Sequence, residues 1–162
     1  MEARSVPPPP APSGPLEGER IRSMVERDVA RVVELEASAF GSPWEADTFR
    51  RLLGRTGAEL LVVEVRAEVV AYAVLWCILD QGELANIAVD DMWRRRGIGA
   101  RLLDRVLERA RERGVTDLFL EVRQSNMVAR DLYRRRGFTS IGVRRNYYDS
   151  PREDACVLRI GL

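Results

Sequence analysis

The 162-residue chain alternates between short β-rich apolar runs and stretches whose apolar residues recur every three or four positions. Residues 21–25 predict a first strand. Asp28 is placed to cap a helix carrying Val29, Val32, Val33, Leu35 and Phe40, which Gly41-Ser42-Pro43 breaks. Residues 48–53 predict a second short helix stopped by Gly54. Residues 60–65 and 69–79 read as a hairpin, and the polar segment 80–83 turns the chain into a third strand at 84–89. The period then lengthens: Ile98, Leu102, Leu103, Val106, Leu107 and Ala110 share one helical face, with Gly114 as its C′ glycine. Residues 118–122 return to β character, so strand 84–89, the helix and strand 118–122 predict a right-handed βαβ unit. Asn126 then caps a helix with Ala129, Leu132 and Tyr133 inward and Gly137 at its end, before strands at 138–143 and 155–160. The expected architecture is α/β, a mixed sheet with helices on both faces.

Residues 1–19 stand apart. They hold Pro7 to Pro10, Pro12, Pro15 and two glycines with almost nothing to bury, and predict a disordered, partly polyproline tail before a domain over 20–162. The longest apolar run falls short of the roughly 20 residues a bilayer span needs, and the N-terminus lacks the apolar core of a signal peptide. Cys77 and Cys156 offer neither a disulfide framework nor metal-ligand spacing. A soluble, cytoplasmic protein without a metal is expected, monomeric or weakly dimeric.

Charge narrows the chemistry. With 26 basic and 25 acidic residues the net charge is +1, so bulk electrostatics give no reason to expect strong nucleic-acid or membrane binding. Every basic residue is Arg; Lys and His are absent. Arg does not release its proton in a protein. Schiff-base lysines, Ser-His-Asp triads, Cys-His pairs and histidine metal sites are therefore excluded. Proton transfer must use Asp, Glu, Tyr, Cys or water.

Between strand 84–89 and the following helix lies Arg94-Arg95-Arg96-Gly97-Ile98-Gly99-Ala100. Two glycines permit a tight turn and close backbone approach to a ligand. A helix start adds unpaired N–H groups and the positive end of a dipole, a seat for phosphate oxygens. The segment reads either as a site for a diphosphate-bearing cofactor or as an Arg-rich loop with an ordinary glycine turn. It is not a dinucleotide fingerprint, because Leu102 stands where the third glycine belongs, and it is not a P-loop, which needs a Lys.

In strand 118–122, alternation puts Leu118, Leu120 and Val122 on one face and Phe119 and Glu121 on the other. A carboxylate there is costly unless it is paired or faces a cleft, so Glu121 is either salt-bridged to an arginine or functional. Tyr133 lies two helical turns after Asn126 on the same face and is either core or functional.

Arg94-x-x-Gly97-x-Gly99 resembles the acyl-CoA-binding signature of the GNAT superfamily of acetyl-CoA-dependent N-acetyltransferases, whose fold has the element order read above. Pro43-Trp44, Asn86-Ile87-Ala88-Val89, Leu120-Glu121-Val122-Arg123, Ser125-Asn126, Leu132-Tyr133, Gly137-Phe138 and Arg145-Asn146-Tyr147-Tyr148 resemble the bacterial ribosomal-protein-alanine N-acetyltransferases within it. The resemblance implies a mostly antiparallel GNAT sheet with a splayed central strand pair and acetyl-CoA as cosubstrate. It implies that Arg95, Arg96, Gly97, Ile98, Gly99 and Ala100 hold the pyrophosphate, that Ile87, Ala88 and Val89 pair with the pantetheine arm, and that Asn126 contacts CoA. Acetyl transfer to an amine needs a base for the amine and an acid for the leaving thiolate, and His and Lys are absent, so the resemblance implies Glu121 as the proton acceptor and Tyr133 as the proton donor. The implied acceptor is the N-terminal alanine of a small-subunit ribosomal protein, with the 41–44 loop and Tyr147-Tyr148 as its walls. The alternatives are another GNAT specificity, for other protein N-termini or small amines, and a non-catalytic CoA-binding or RNA-binding module.

Overall fold

The computed structural model describes residues 14–162, so most of the proline-rich tail lies outside the described residues. Seven strands form one sheet in the order β1-β2-β3-β4-β5-β7-β6. The first half comprises β1 (Glu19–Ser23), β2 (Ala58–Val65), β3 (Glu68–Ile78) and β4 (Gln81–Val89), all antiparallel neighbours. The second comprises β5 (Asp117–Arg123), β7 (Arg152–Gly161) and the edge strand β6 (Thr139–Asp149), also antiparallel. The halves meet at the parallel β4–β5 pair, which the crossover helix α3 (Ile98–Glu112) connects.

Helices cover both faces. Helices α1 (Val29–Ala39) and α2 (Ala46–Leu52) bury Val29, Val32, Leu35 and Phe49 against Val62, Tyr72 and Val74. On the opposite face, Leu102, Leu103, Val106 and Leu107 of α3 and Tyr133 of α4 (Met127–Arg135) pack on Leu118, Leu120 and Val122. Each such side chain, fully buried, contributes about 1.5–3 kcal/mol. Among the described residues, no helix is long and apolar enough to cross a membrane.

Several boundaries differ from the sequence expectation. Strand β1 covers Glu19–Ser23 rather than 21–25, because Val25 leaves the sheet to start a 3-10 turn and is 44% exposed. Asp28 occupies the position before α1, but its carboxylate accepts from the Val25 N–H and pairs with Arg22 instead of capping the helix. The turn expected over 80–83 is tighter: Ile78 pairs with Gln81, and residues 81–83 belong to β4. The final hairpin is longer than expected at both strands. Residues 144–149 of β6 are polar and nearly all exposed, so an edge strand with no buried face shows no apolar alternation.

Candidate active site

Strands β4 and β5 pair only at Gln81–Asp117, Gly82–Leu118 and Glu83–Phe119. Beyond that point β4 stays with β3 as far as Val89–Ala71, while β5 stays with β7 as far as Arg123–Ala155. The two strands therefore part, and the sheet opens. The register shift between β3 and β4 lies at the same place: Leu75 pairs with Leu84 and Val74 with Asn86, which leaves Ala85 as a bulge. A bulge bends its strand and increases local twist. It also puts Ala85 and Asn86 both toward α1, while Leu84, Ile87 and Val89 face α3. The backbone of Ile87, Ala88 and Val89 thus carries an edge toward β5 with no strand to pair it.

At the end of β4, Asp90 accepts from the Met92 N–H at 2.8 Å and pairs with Arg31, fixing where the chain leaves the sheet. Arg94 to Arg96 follow. Arg95 and Gly97 both take positive φ, +61° and +75°, a backbone that curls N–H groups toward a common centre. Only Gly adopts that region without penalty. Gly97 precedes α3 with no side-chain cap, and the first intrahelical bond is Arg101 N–H to Gly97 O, at 3.1 Å. Among the described residues, the N–H groups of Ile98, Gly99 and Ala100 have no acceptor, although the Ile98 side chain is core. Arg94 pairs with Asp91, Arg101 with Glu19, and Arg96 stacks on Trp93 at 4.8 Å. Arg95 is exposed and unpaired among them.

Glu121 projects from β5 on the α1 face, opposite Leu120 and Val122. Its carboxylate pairs with Arg144 Nε of β6 at 3.2 Å, so the ion pair and the cleft position occur together. Burial pushes its pKa above the ordinary Glu value, the Glu83 carboxylate adds to that, and Arg144 opposes it. Tyr133 lies on the other face, 5% exposed and stacked edge-on with Phe138. Its hydroxyl makes no hydrogen bond to a described residue and is not sealed from solvent. Burial and then the nearby Tyr148 phenol raise its pKa, so it keeps its proton. Tyr148 is itself pushed up to about 12 by burial, Tyr147 and Glu121, which ties these aromatic groups to the same opening. Asn126 caps α4, accepting from the Ala129 N–H at 3.2 Å, while its amide NH2 donates to no described residue.

Two loops meet over the α1 side. A Cβ at Gly41 would overlap the Ser150 carbonyl oxygen, so the 41–44 loop touches the β6–β7 turn. Arg123 donates to Ser150 O and Pro151 O, at 3.2 and 2.8 Å, and its guanidinium stacks on Tyr148 at 4.3 Å. Tyr147 and Tyr148 pack edge-to-face. The arginines 134–136 are paired with Asp131 and Asp104, a solvated helix face.

Sequence reasoning gave no role in the site to Glu83, Arg144 or Glu36, and named Asn86 only within a motif of the resemblance. Glu36 had a signal: four residues after Val32, it falls on the apolar stripe of α1, and it is 1% exposed. Arg144 had none, since its pairing with Glu121 depends on strand order.

The sequence pattern of the acetyltransferase (GNAT) family matches residues 29–138. A [ribosomal protein bS18]-alanine N-acetyltransferase from Haemophilus ducreyi is 36% identical over 147 residues, covering 88% of this chain and 99% of that protein. The crystal structure of the ribosomal-protein-S18-alanine N-acetyltransferase from Escherichia coli has a TM-score of 0.81 at 34% identity, covering 88% of this chain and 93% of that one. A GNAT acetyltransferase from Elizabethkingia anophelis with acetyl-CoA bound shares the fold at TM-score 0.73 and 21% identity, covering 91% and 100%. The pattern match spans most of the chain, the relatives span nearly all of its described part, and the opened β4–β5 pair stands where the glycine turn begins: the chain belongs to the GNAT acetyltransferase family.

Proposed function

We propose that residues 20–162 form an N-acetyltransferase that moves the acetyl group of acetyl-CoA to the N-terminal amine of a protein, most specifically the N-terminal alanine of a small-subunit ribosomal protein. The observation that carries this is the opening between β4 and β5, with a half-buried carboxylate on one face and a protonated phenol on the other. The residues fit the cosubstrate. Ile87, Ala88 and Val89 offer main-chain groups to an extended amide-bearing arm, as a sheet edge does to an added strand. The N–H groups of Gly97, Ile98, Gly99 and Ala100, with Arg95 and Arg96 beside them, offer donors and positive charge to a diphosphate. Asn126 has an amide NH2 free to meet the arm from α4.

An N-terminal amine with a pKa of about 7.7–8.0 is largely protonated at neutral pH. Glu121, on the face where the 41–44 loop and Tyr147-Tyr148 wall the opening, takes that proton directly or through one water. Tyr133, on the α4 face, gives a proton to the departing sulfur. Arg144 orients Glu121 and favours its ionised form against burial and the Glu83 charge. Support for this acceptor comes from the relatives, which are named as acting on the alanine of ribosomal protein bS18. The same names support a cytoplasmic enzyme working beside the ribosome.

An acetylation assay with peptides that differ only in their first residue tests this. Ala-starting peptides are expected to react fastest, and an N-terminally blocked peptide with an internal lysine not at all. Comparable rates for small amines would overturn the proposed acceptor.

A further inference from the structure

Glu36 is a buried carboxylate with no cationic partner among the described residues. At 1% exposure it accepts from the Tyr72 hydroxyl, from Asn86 Nδ2 at 2.9 and 3.0 Å, and from the Trp44 backbone N–H at 3.0 Å. Burying a lone carboxyl is costly, and only several donors aimed at it offset that cost. Packing alone would be served by an apolar residue continuing the stripe of Val29, Val32 and Leu35. The donors belong to three separate parts of the fold. Tyr72 lies in β3, Asn86 in β4 just past the bulge, and Trp44 in the 41–44 loop. Burial and the adjacent Glu36 charge hold Tyr72 protonated, so it serves as a donor.

We propose, on the reading of the site given above, that Glu36 is a positioning residue for acetyl transfer: it fastens the acceptor-side loop to Asn86 on the unpaired stretch of β4. The acceptor-side loop and the strand that faces the cosubstrate then keep one register without Glu36 touching either substrate. Misplacing reactants by about 1 Å can cost on the order of 10²-fold in rate, which gives such a fastening its value. The bulge at Ala85 lets Leu84 and Ile87 both face α3 while Asn86 faces Glu36.

Three variants separate positioning from packing. Glu36→Met removes every acceptor at similar length. Glu36→Gln keeps one acceptor oxygen for the Trp44 N–H. Asn86→Ala cuts the tie to β4 and leaves the carboxylate that the Trp44 N–H uses without two of its hydrogen bonds, so that this bond opens more often. Kinetics with an Ala-starting peptide, acetyl-CoA titration and amide hydrogen exchange at Trp44 are the readouts. In Glu36→Met and Asn86→Ala the peptide KM is expected to rise roughly tenfold while acetyl-CoA affinity stays within about twofold, and Glu36→Gln should recover most of the loss. Exchange at the Trp44 amide should quicken by about tenfold in Asn86→Ala while β2 and β3 stay protected. A residue needed for packing alone lowers the folded fraction and kcat per molecule of protein, with peptide KM and Trp44 exchange unchanged; that outcome overturns the proposal. Asn86→Ala decides the matter if Glu36→Met does not fold. Exchange needs no substrate: if it responds to Asn86→Ala but the wild type ignores Ala-starting peptides, the fastening stands and the assigned acceptor falls.

Discussion

Glu121 sits between burial and the Glu83 charge, which favour its protonated form, and Arg144, which favours the carboxylate. A base must be deprotonated to act, so with its pKa raised, activity falls on acidification at a higher pH than an ordinary glutamate would give. Glu83→Gln removes the like charge and should move the acidic limb of kcat/KM to lower pH. An unmoved limb in the pH–rate profile would show that the Glu83 charge does not reach Glu121. Glu121→Gln should slow acetylation of an Ala-starting peptide by about 10²–10⁴-fold, the usual scale for a positioned acid or base. High pH should partly rescue it, because the free amine then forms unaided. Tyr133→Phe should also slow the reaction, without rescue at high pH, since the task proposed for it lies at the leaving sulfur. Near-normal rates for both variants across the pH range would leave catalysis to positioning alone.

Among the elements, the loop leading into α3 makes the sharpest claim. Gly97 sits at φ +75° immediately before the free N–H groups of the first turn. Gly97→Val, a β-branched residue in a left-handed conformation, should abolish the rise in Tm that acetyl-CoA gives the wild type, as a thermal-shift assay would read. Equal stabilisation of both proteins would remove the loop from the cosubstrate site. The order of elements was legible because each apolar run or stripe has a buried face to serve. Glu121 was legible for the same reason inverted, as a charge among apolar strand positions. The partners of Glu121 were not. Glu83 comes from a neighbouring strand and Arg144 from the edge strand beyond β7, so only sheet order brings them together. The length of the last hairpin stayed hidden because an edge strand in solvent follows no period that burial would impose.

Over the whole molecule, the crossover helix is clasped by buried carboxylates at both ends. Arg101 holds Glu19 of β1, while Arg109 and Arg113 hold Glu59 of β2. Burial raises the Glu59 pKa, but the Arg113 and Arg109 guanidiniums outweigh it and leave the carboxyl below the ordinary range. A group lowered by folding stabilises above its unfolded value, about 4.3 for Glu, and the stability is lost as pH falls through the folded value. Glu59→Gln should therefore lower Tm at neutral pH and flatten its decline below about pH 4. A variant with the same acid profile as the wild type would place the acid sensitivity elsewhere.

The three residue pairs that join β4 to β5 also make a seam between two half-sheets. Pulled apart across it, the molecule should part there first, with each half holding together by its own long antiparallel ladders. A cosubstrate lying in the opening would bridge the halves like a stitch. In single-molecule stretching across β4 and β5, acetyl-CoA should raise the rupture force of the seam and leave the later unfolding of the separate halves unchanged. An enzyme built this way keeps its weakest join where its chemistry needs room, and a cosubstrate seated in the opening as proposed would close the join each time it binds.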